Sequence, residues 1–100
     1  LFQEITRVPQ WRGPVHAEAT LKLGLCYYEQ QDIDRAFPYF EATYVRYARY
    51  SSWAAQGYLY HARCLKKMNK LSEATAVIQT AFKNPQIRKT EWFDELNQEI

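Results

Sequence analysis

Glycine and proline are scarce, three and four in 100 residues, and no tract is of low complexity. That excludes a disordered or fibrous chain. No apolar run is long enough to cross a membrane and no signal-peptide pattern appears, so no membrane insertion is expected. Only two cysteines and two histidines occur, without metal-ligand spacing. Neither a nucleophile elbow nor a phosphate loop is present. Asp32 and Asp34 read as a helix N-cap and a first-turn acid, not as a catalytic pair. No enzyme, cofactor or metal is therefore expected. No stretch alternates with period two, so no strand is expected. Acidic residues are missing altogether between Ala42 and Ser72.

What is present is apolar and periodic. Hydrophobic residues make up 47% of the chain, enough for a core in one small domain. Sixteen residues are aromatic, and eight of them are Tyr, a side chain suited to half-wet surfaces. Phe2, Phe40 and Ile78 stand 38 residues apart. The same step separates Gly24 from Ala62, Cys26 from Cys64, Tyr28 from Lys66 and Ala36 from Ala74. A period of this length marks a stacked-repeat architecture. Residues 1–8 read as the end of a helix belonging to an earlier unit, so the chain is expected to be a piece of a longer protein.

Apolar spacing predicts helices over 1–8, 15–29, 33–50, 51–68, 71–83 and from 90 onward. Asp32, Ser51 or Ser52, and Thr90 are the expected caps, and Asn84 with Pro85 the expected stop after 83. Pro38 lies inside the third of these segments and predicts a late start or a kink. Small residues fall where helices meet: Gly24 with Ala36, then Ala62 with Ala74. Gly24 is expected to be buried. The two cysteines are expected to be small buried hydrophobes, with a disulfide as the alternative in an exported protein. His61 is expected in a core or semi-buried packing role.

These residues resemble the tetratricopeptide repeat, whose pattern is W-x2-L-G-x2-Y, then A-x3-F, then P. The first unit reads Thr20-x2-Leu23-Gly24-x2-Tyr27 and then Ala36-x3-Phe40. The second reads Tyr58-x2-His61-Ala62-x2-Leu65, then Ala74-x3-Ile78, then Pro85. His61 stands where Leu is usual. The period is four residues longer than the family's, about one helical turn. Elongated repeats of this kind are most similar to those of bacterial cell-envelope proteins, the outer-membrane assembly lipoproteins and the Tol–Pal coordinator protein. The resemblance implies an all-α chain forming a right-handed α-solenoid of antiparallel helix–turn–helix repeats. Its units are 14–50 and 52–88, with 1–9 ending an earlier repeat and 90–100 capping the array or opening the next. It weakly favours the periplasm or cell envelope as the location.

The resemblance also implies a function, that of a scaffold binding a protein or peptide on its concave face. The residues facing that groove are Glu18, Lys22, Leu25, Tyr28 and Glu29 of the first unit, and Gln56, Tyr60, Arg63, Lys66 and Lys67 of the second. Arg63 and Lys67 are four apart and point the same way, so an acidic partner is expected. Family members that clamp a terminal carboxylate use an Asn here that this chain lacks. A second reading takes the acid-free tract 44–70, where Arg46, Arg49, Arg63, Lys66, Lys67 and Lys70 interleave with Tyr44, Tyr47, Tyr50, Trp53, Tyr58 and Tyr60. Basic residues among aromatics bind single-stranded RNA through phosphate contacts and stacking. Nucleic acid ranks behind protein as the partner. The end helices either pack on the repeats or drive self-association through Trp92, Phe93, Leu96 and Ile100.

Overall fold

The computed structural model describes residues 14–99. The expected helix over 1–8 and residue Ile100 lie outside them. Six helices and no strand occur among the described residues: α1 (Pro14–Glu29), α2 (Ile33–Arg46), α3 (Ser51–Lys67), α4 (Leu71–Phe82), α5 (Pro85–Arg88) and α6 (Phe93–Gln98).

The 38-residue step reappears in what is buried. Ala17 and Ala55, Leu21 and Leu59, Gly24 and Ala62, Ala36 and Ala74, Phe40 and Ile78, and Thr43 and Ala81 are all buried pairs at that spacing. It reappears in the turns as well. Gln31 (φ 65°) and Asn69 (φ 62°) are the described non-glycine residues in the left-handed region, and they too stand 38 apart. At each, the N–H of the next residue reaches back five positions: Asp32 to the Tyr27 carbonyl at 2.9 Å and Lys70 to Leu65 at 2.8 Å. Gln31 donates to Tyr28 and Asn69 to Lys66, both at 3.0 Å. This is the Schellman closure, which satisfies the last carbonyls of α1 and α3 and turns the chain at once.

Helix α2 starts where Asp32 accepts from the Arg35 N–H at 3.4 Å. It does not start late: the helix continues through Pro38. Asp34 and Pro38 are both exposed, so the carbonyl that loses its donor lies on the solvent side. The helix ends at Arg46 instead of Tyr50, because Tyr47 turns out of it at φ −118° and Tyr50 becomes the residue before α3. Ser51 and Ser52 are thus the first residues of α3, not its caps.

Antiparallel packing follows from the contacts. Gly24 of α1 meets Phe40 of α2 while Tyr27, further along α1, stacks on Tyr39, further back along α2. Between α2 and α3 the order is again reversed: Phe37 meets His61, Phe40 meets Tyr60, and Tyr44 meets Tyr58. Helices α1 and α3 therefore run parallel, and they touch. Helix α3 packs against every other described helix.

Two glycines set the approach to α2. A Cβ on Gly24 would sit 2.7 Å from Cε1 of the fully buried Phe40 ring. A Cβ on Gly57 would sit 3.0 Å from the Phe40 carbonyl oxygen and from Thr43 Cβ. Gly24 has the burial its sequence context predicts; Gly57 is a second contact of the same kind on the other side.

The C-terminal part departs from expectation. Pro85 opens α5 instead of only ending α4: Asn84 Oδ1 accepts from the Gln86 N–H at 2.9 Å. Thr90 Oγ1 donates back to the Ile87 carbonyl at 2.7 Å, so it closes α5 and does not cap α6. Ile87 and Leu96 are fully buried in one core with Ala62, Leu65, Ala74 and Ile78, and Trp92 packs on it. Phe93 lies 5.2 Å from Phe82. Trp92, Phe93 and Leu96 thus pack onto the preceding helices.

Gly24→Ala is expected to lower stability by about 1–3 kcal/mol in urea unfolding, because the stacked Phe40 ring cannot yield. The helix propensity of Ala, worth roughly 1 kcal/mol, acts the other way and does not offset the overlap. Gln31→Gly is expected to raise stability by about 0.5–1 kcal/mol, because it relieves a left-handed non-glycine residue.

Candidate functional site

The sequence-derived surface residues divide into two groups. Glu18 and Lys22 pair with each other on α1 at 3.0 Å and are largely exposed. Glu29 is exposed, and the Gln56 amide donates to the Ser52 carbonyl on its own helix at 3.3 Å. Leu25 is half-buried against the α1–α2–α3 core. The remaining five, Tyr28, Tyr60, Arg63, Lys66 and Lys67, are brought together.

Their arrangement is a row crossing from α1 over α3. Tyr28 meets Tyr60 edge-on with ring centres 5.7 Å apart. Tyr60 stacks on Phe40 at 5.3 Å, so the row rests on the core. The Arg63 guanidinium lies over Tyr60 at 5.1 Å, and Lys67 Nζ lies 5.4 Å from the Tyr28 ring centre. Burial raises the Tyr28 hydroxyl above its ordinary pKa of 10.0, with Arg63 pulling it the other way. The phenol is neutral at physiological pH and available as a hydrogen-bond donor.

Two of the five cations and aromatics are already occupied, and the expectation of a free Arg63–Lys67 pair is corrected. Arg63 Nε lies 3.3 Å from Glu99 Oε2, and its Nη2 lies 3.8 Å from Glu95. Lys66 Nζ lies 3.0 Å from Glu99 Oε1. One carboxylate thus holds two cations. Arg63 leans toward α6 and Lys67 toward α1, so the two charges diverge although they are four residues apart. Lys67 is exposed and makes no ion pair with a described residue. Glu95 and Glu99 were not among the residues singled out from the sequence. The signal was present: six cations in an acid-free tract need acids from elsewhere, and Glu91, Asp94, Glu95 and Glu99 cluster in the last ten residues.

The basic tract 44–70 is not one patch. Arg46 ends α2 and Arg49 follows it, at the end of α2 that lies beside the start of α3, because Thr43 and Tyr44 meet Gly57 and Tyr58. Arg63, Lys66 and Lys67 lie at the other end of α3, roughly 20 Å away at 1.5 Å per residue. The aromatic faces are used internally. Tyr44 stacks on Tyr58 at 4.0 Å, Tyr47 is buried, and Trp53 packs against the α1–α2–α3 core. Burial, with Glu41 adding to it, pushes the Tyr44 hydroxyl up to about 12.

Both cysteines are free. Cys64 is buried and its thiol is pushed up to about 11 by that burial, so it is inert. Cys26 is exposed, contrary to the expectation that both cysteines are core residues. It lies on the outer side of α1, whose inner side is taken by Leu21 and Gly24. Among the described residues no group of three or more His, Cys, Asp or Glu side chains is placed to hold a metal ion. No described helix is long and apolar enough to cross a membrane.

His61 is buried between Phe37, with ring centres 4.3 Å apart, and Tyr44, at 5.4 Å. Its Nδ1 has no hydrogen-bond partner. Burial lowers its pKa from 6.5 to about 4.

Compared with known proteins, the chain matches no family model, no curated protein and no solved structure.

A pH dependence follows from His61. The unfolded chain takes up a proton near pH 6.5 that the folded chain refuses until about pH 4. Stability should therefore be intact above pH 6.5 and fall as pH drops through that window, by on the order of 3 kcal/mol. In urea titrations at a series of pH values, His61→Leu should remove most of that slope. An unchanged slope would assign it to other groups.

Proposed function

We propose that the chain belongs to a tetratricopeptide-like, right-handed helical solenoid and serves as a protein–protein interaction scaffold with no catalytic role of its own. Several features support the solenoid reading: the 38-residue recurrence of buried positions and turns, and the parallel contact of α1 with α3. Helix α6 falls one period after residues 55–60 of α3 and packs on α3 in its turn. The bacterial cell-envelope setting rests on the resemblance of the elongated repeats.

The observation that carries the functional reading is the half-exposed row Tyr28–Tyr60–Arg63, flanked by Lys67 and Lys66, laid across parallel helices. Tyrosines seated on a core lose little freedom on binding and offer both an apolar face and a hydroxyl. Cations beside them select acidic partners. The ligand class is an acidic peptide. RNA is disfavoured, because the aromatics of the tract stack on one another and its cations lie at two ends of the helices.

The test titrates the full chain with a set of acidic, Leu-containing peptides and with a single-stranded oligouridine, across a salt series. Peptide binding is expected, weakening with salt as exposed charges are screened within about 8 Å. Lys67→Glu should weaken it about tenfold, while Arg46→Glu with Arg49→Glu should not. Oligouridine binding that depends on Arg46 and Arg49, with no peptide binding, would overturn the reading in favour of RNA.

A further inference from the structure

Helix α6 occupies the acid-binding end of the proposed surface. Resting on that reading, we infer that α6 is an internal ligand: it holds Arg63 and Lys66 in the absence of a partner, and an acidic helical peptide displaces it.

The geometry is that of a bound ligand. Glu95 and Glu99 are one helical turn apart and face the same way. Glu95 and Glu99 both reach Arg63, and Glu99 also reaches Lys66, one turn further along α3. Between the two acids, Leu96 inserts into the core and is completely buried. A partner presenting a Leu flanked by carboxylates at helical spacing repeats this pattern. Its recognition chemistry is therefore written in residues 91–99.

Helix α6 is also built to leave. It has six residues and no side-chain N-cap bond. A helix this short does not stand by itself in water and exists here only by docking. Leu96 is its one fully buried side chain. Trp92, which leads into it, has a buried indole N–H with no hydrogen-bond partner, a polar group left unsatisfied by the docked state. The ion pairs are partly exposed, and such pairs are individually weak. By contrast Tyr28, Tyr60 and the α1–α3 contact do not depend on α6, so a surface remains when it moves. Lys67, with no acid on it among the described residues, is a first point of encounter for the incoming peptide.

The experiment uses a labelled peptide with the sequence of residues 91–99 (Glu-Trp-Phe-Asp-Glu-Leu-Asn-Gln-Glu) and the full chain. Anisotropy titrations compare the unaltered chain with the Glu95→Gln, Glu99→Gln double variant and with Arg63→Gln, Lys66→Gln. Folding of each is checked by circular dichroism. Removing the internal carboxylates is expected to tighten binding about tenfold, and removing the cations to weaken it by at least as much. Hydrogen exchange supplies a second readout that needs no variant. Saturating peptide should speed exchange of the α6 amides in the unaltered chain. Equal affinity for the unaltered chain and the Gln variant, with α6 still protected, would overturn the internal-ligand inference and leave the acidic-peptide surface standing. Binding by none of the folded proteins would overturn both.

Discussion

The structure depends on how closely α2 is gripped. The Phe40 ring abuts Gly24 of α1 and stacks on Tyr60 of α3, and the Phe40 carbonyl oxygen abuts Gly57. The side chain is completely buried. The missing Cβ at Gly24 admits the Phe40 ring, and the missing Cβ at Gly57 admits the backbone of α2 at Phe40 and Tyr44. An interior packed to crystal density transmits any change at such a point. With α2 held from both sides, α1 and α3 are left parallel and adjacent, and the rest of the chain is assembled on α3.

The consequence of that grip is a surface. Tyr28 and Tyr60 are propped outward by the ring beneath them, and the cations of α3 are displayed next to them. Thr43 and Thr20 turn their hydroxyls onto the carbonyls four residues back, at 2.7 and 2.9 Å, so the tight contacts bury no unsatisfied hydroxyl. His61 is the one costly substitution in the α2–α3 seam, an imidazole where an apolar residue would pack without a desolvation penalty. Its ring is flat enough to fill the gap between Phe37 and Tyr44, and it does so in the neutral form.

Much of this was legible in the sequence, for a physical reason. Burial on a stacked unit repeats with the unit, so the 38-residue step located the helices, the burial of Gly24, and the turns at 30–32 and 69–70. What escaped depended on contacts across longer distances or on single backbone angles. Leu21 packs in one core with Cys64 of α3, a contact invisible until α1 and α3 are known to touch. Tyr47 continues the apolar period of α2 yet leaves the helix, because tertiary burial of its ring outweighs one more helical residue. Cys26 keeps the repeat position of Cys64 but not its burial: the face of α3 that carries Cys64 is packed in one core with Leu21, Ala36 and Phe40, and the face of α1 that carries Cys26 is open among the described residues. The candidate cluster of Tyr28, Tyr60, Arg63, Lys66 and Lys67 was legible on α1 and α3, and its α6 acids were not, since the Glu99 contacts join residues 33 and 36 positions apart in sequence. Helical spacing carries no information about such pairs.

Native-state hydrogen exchange at increasing denaturant tests the central claim most directly, namely that the Phe40 clamp makes α1, α2 and α3 one cooperative unit on which α6 is only docked. Amides of α1, α2 and α3 around Gly24, Phe40 and Gly57 should open together at the free energy of global unfolding, with α6 opening well below it. Separate opening of α1 from α3, or α6 as protected as α3, would contradict the account.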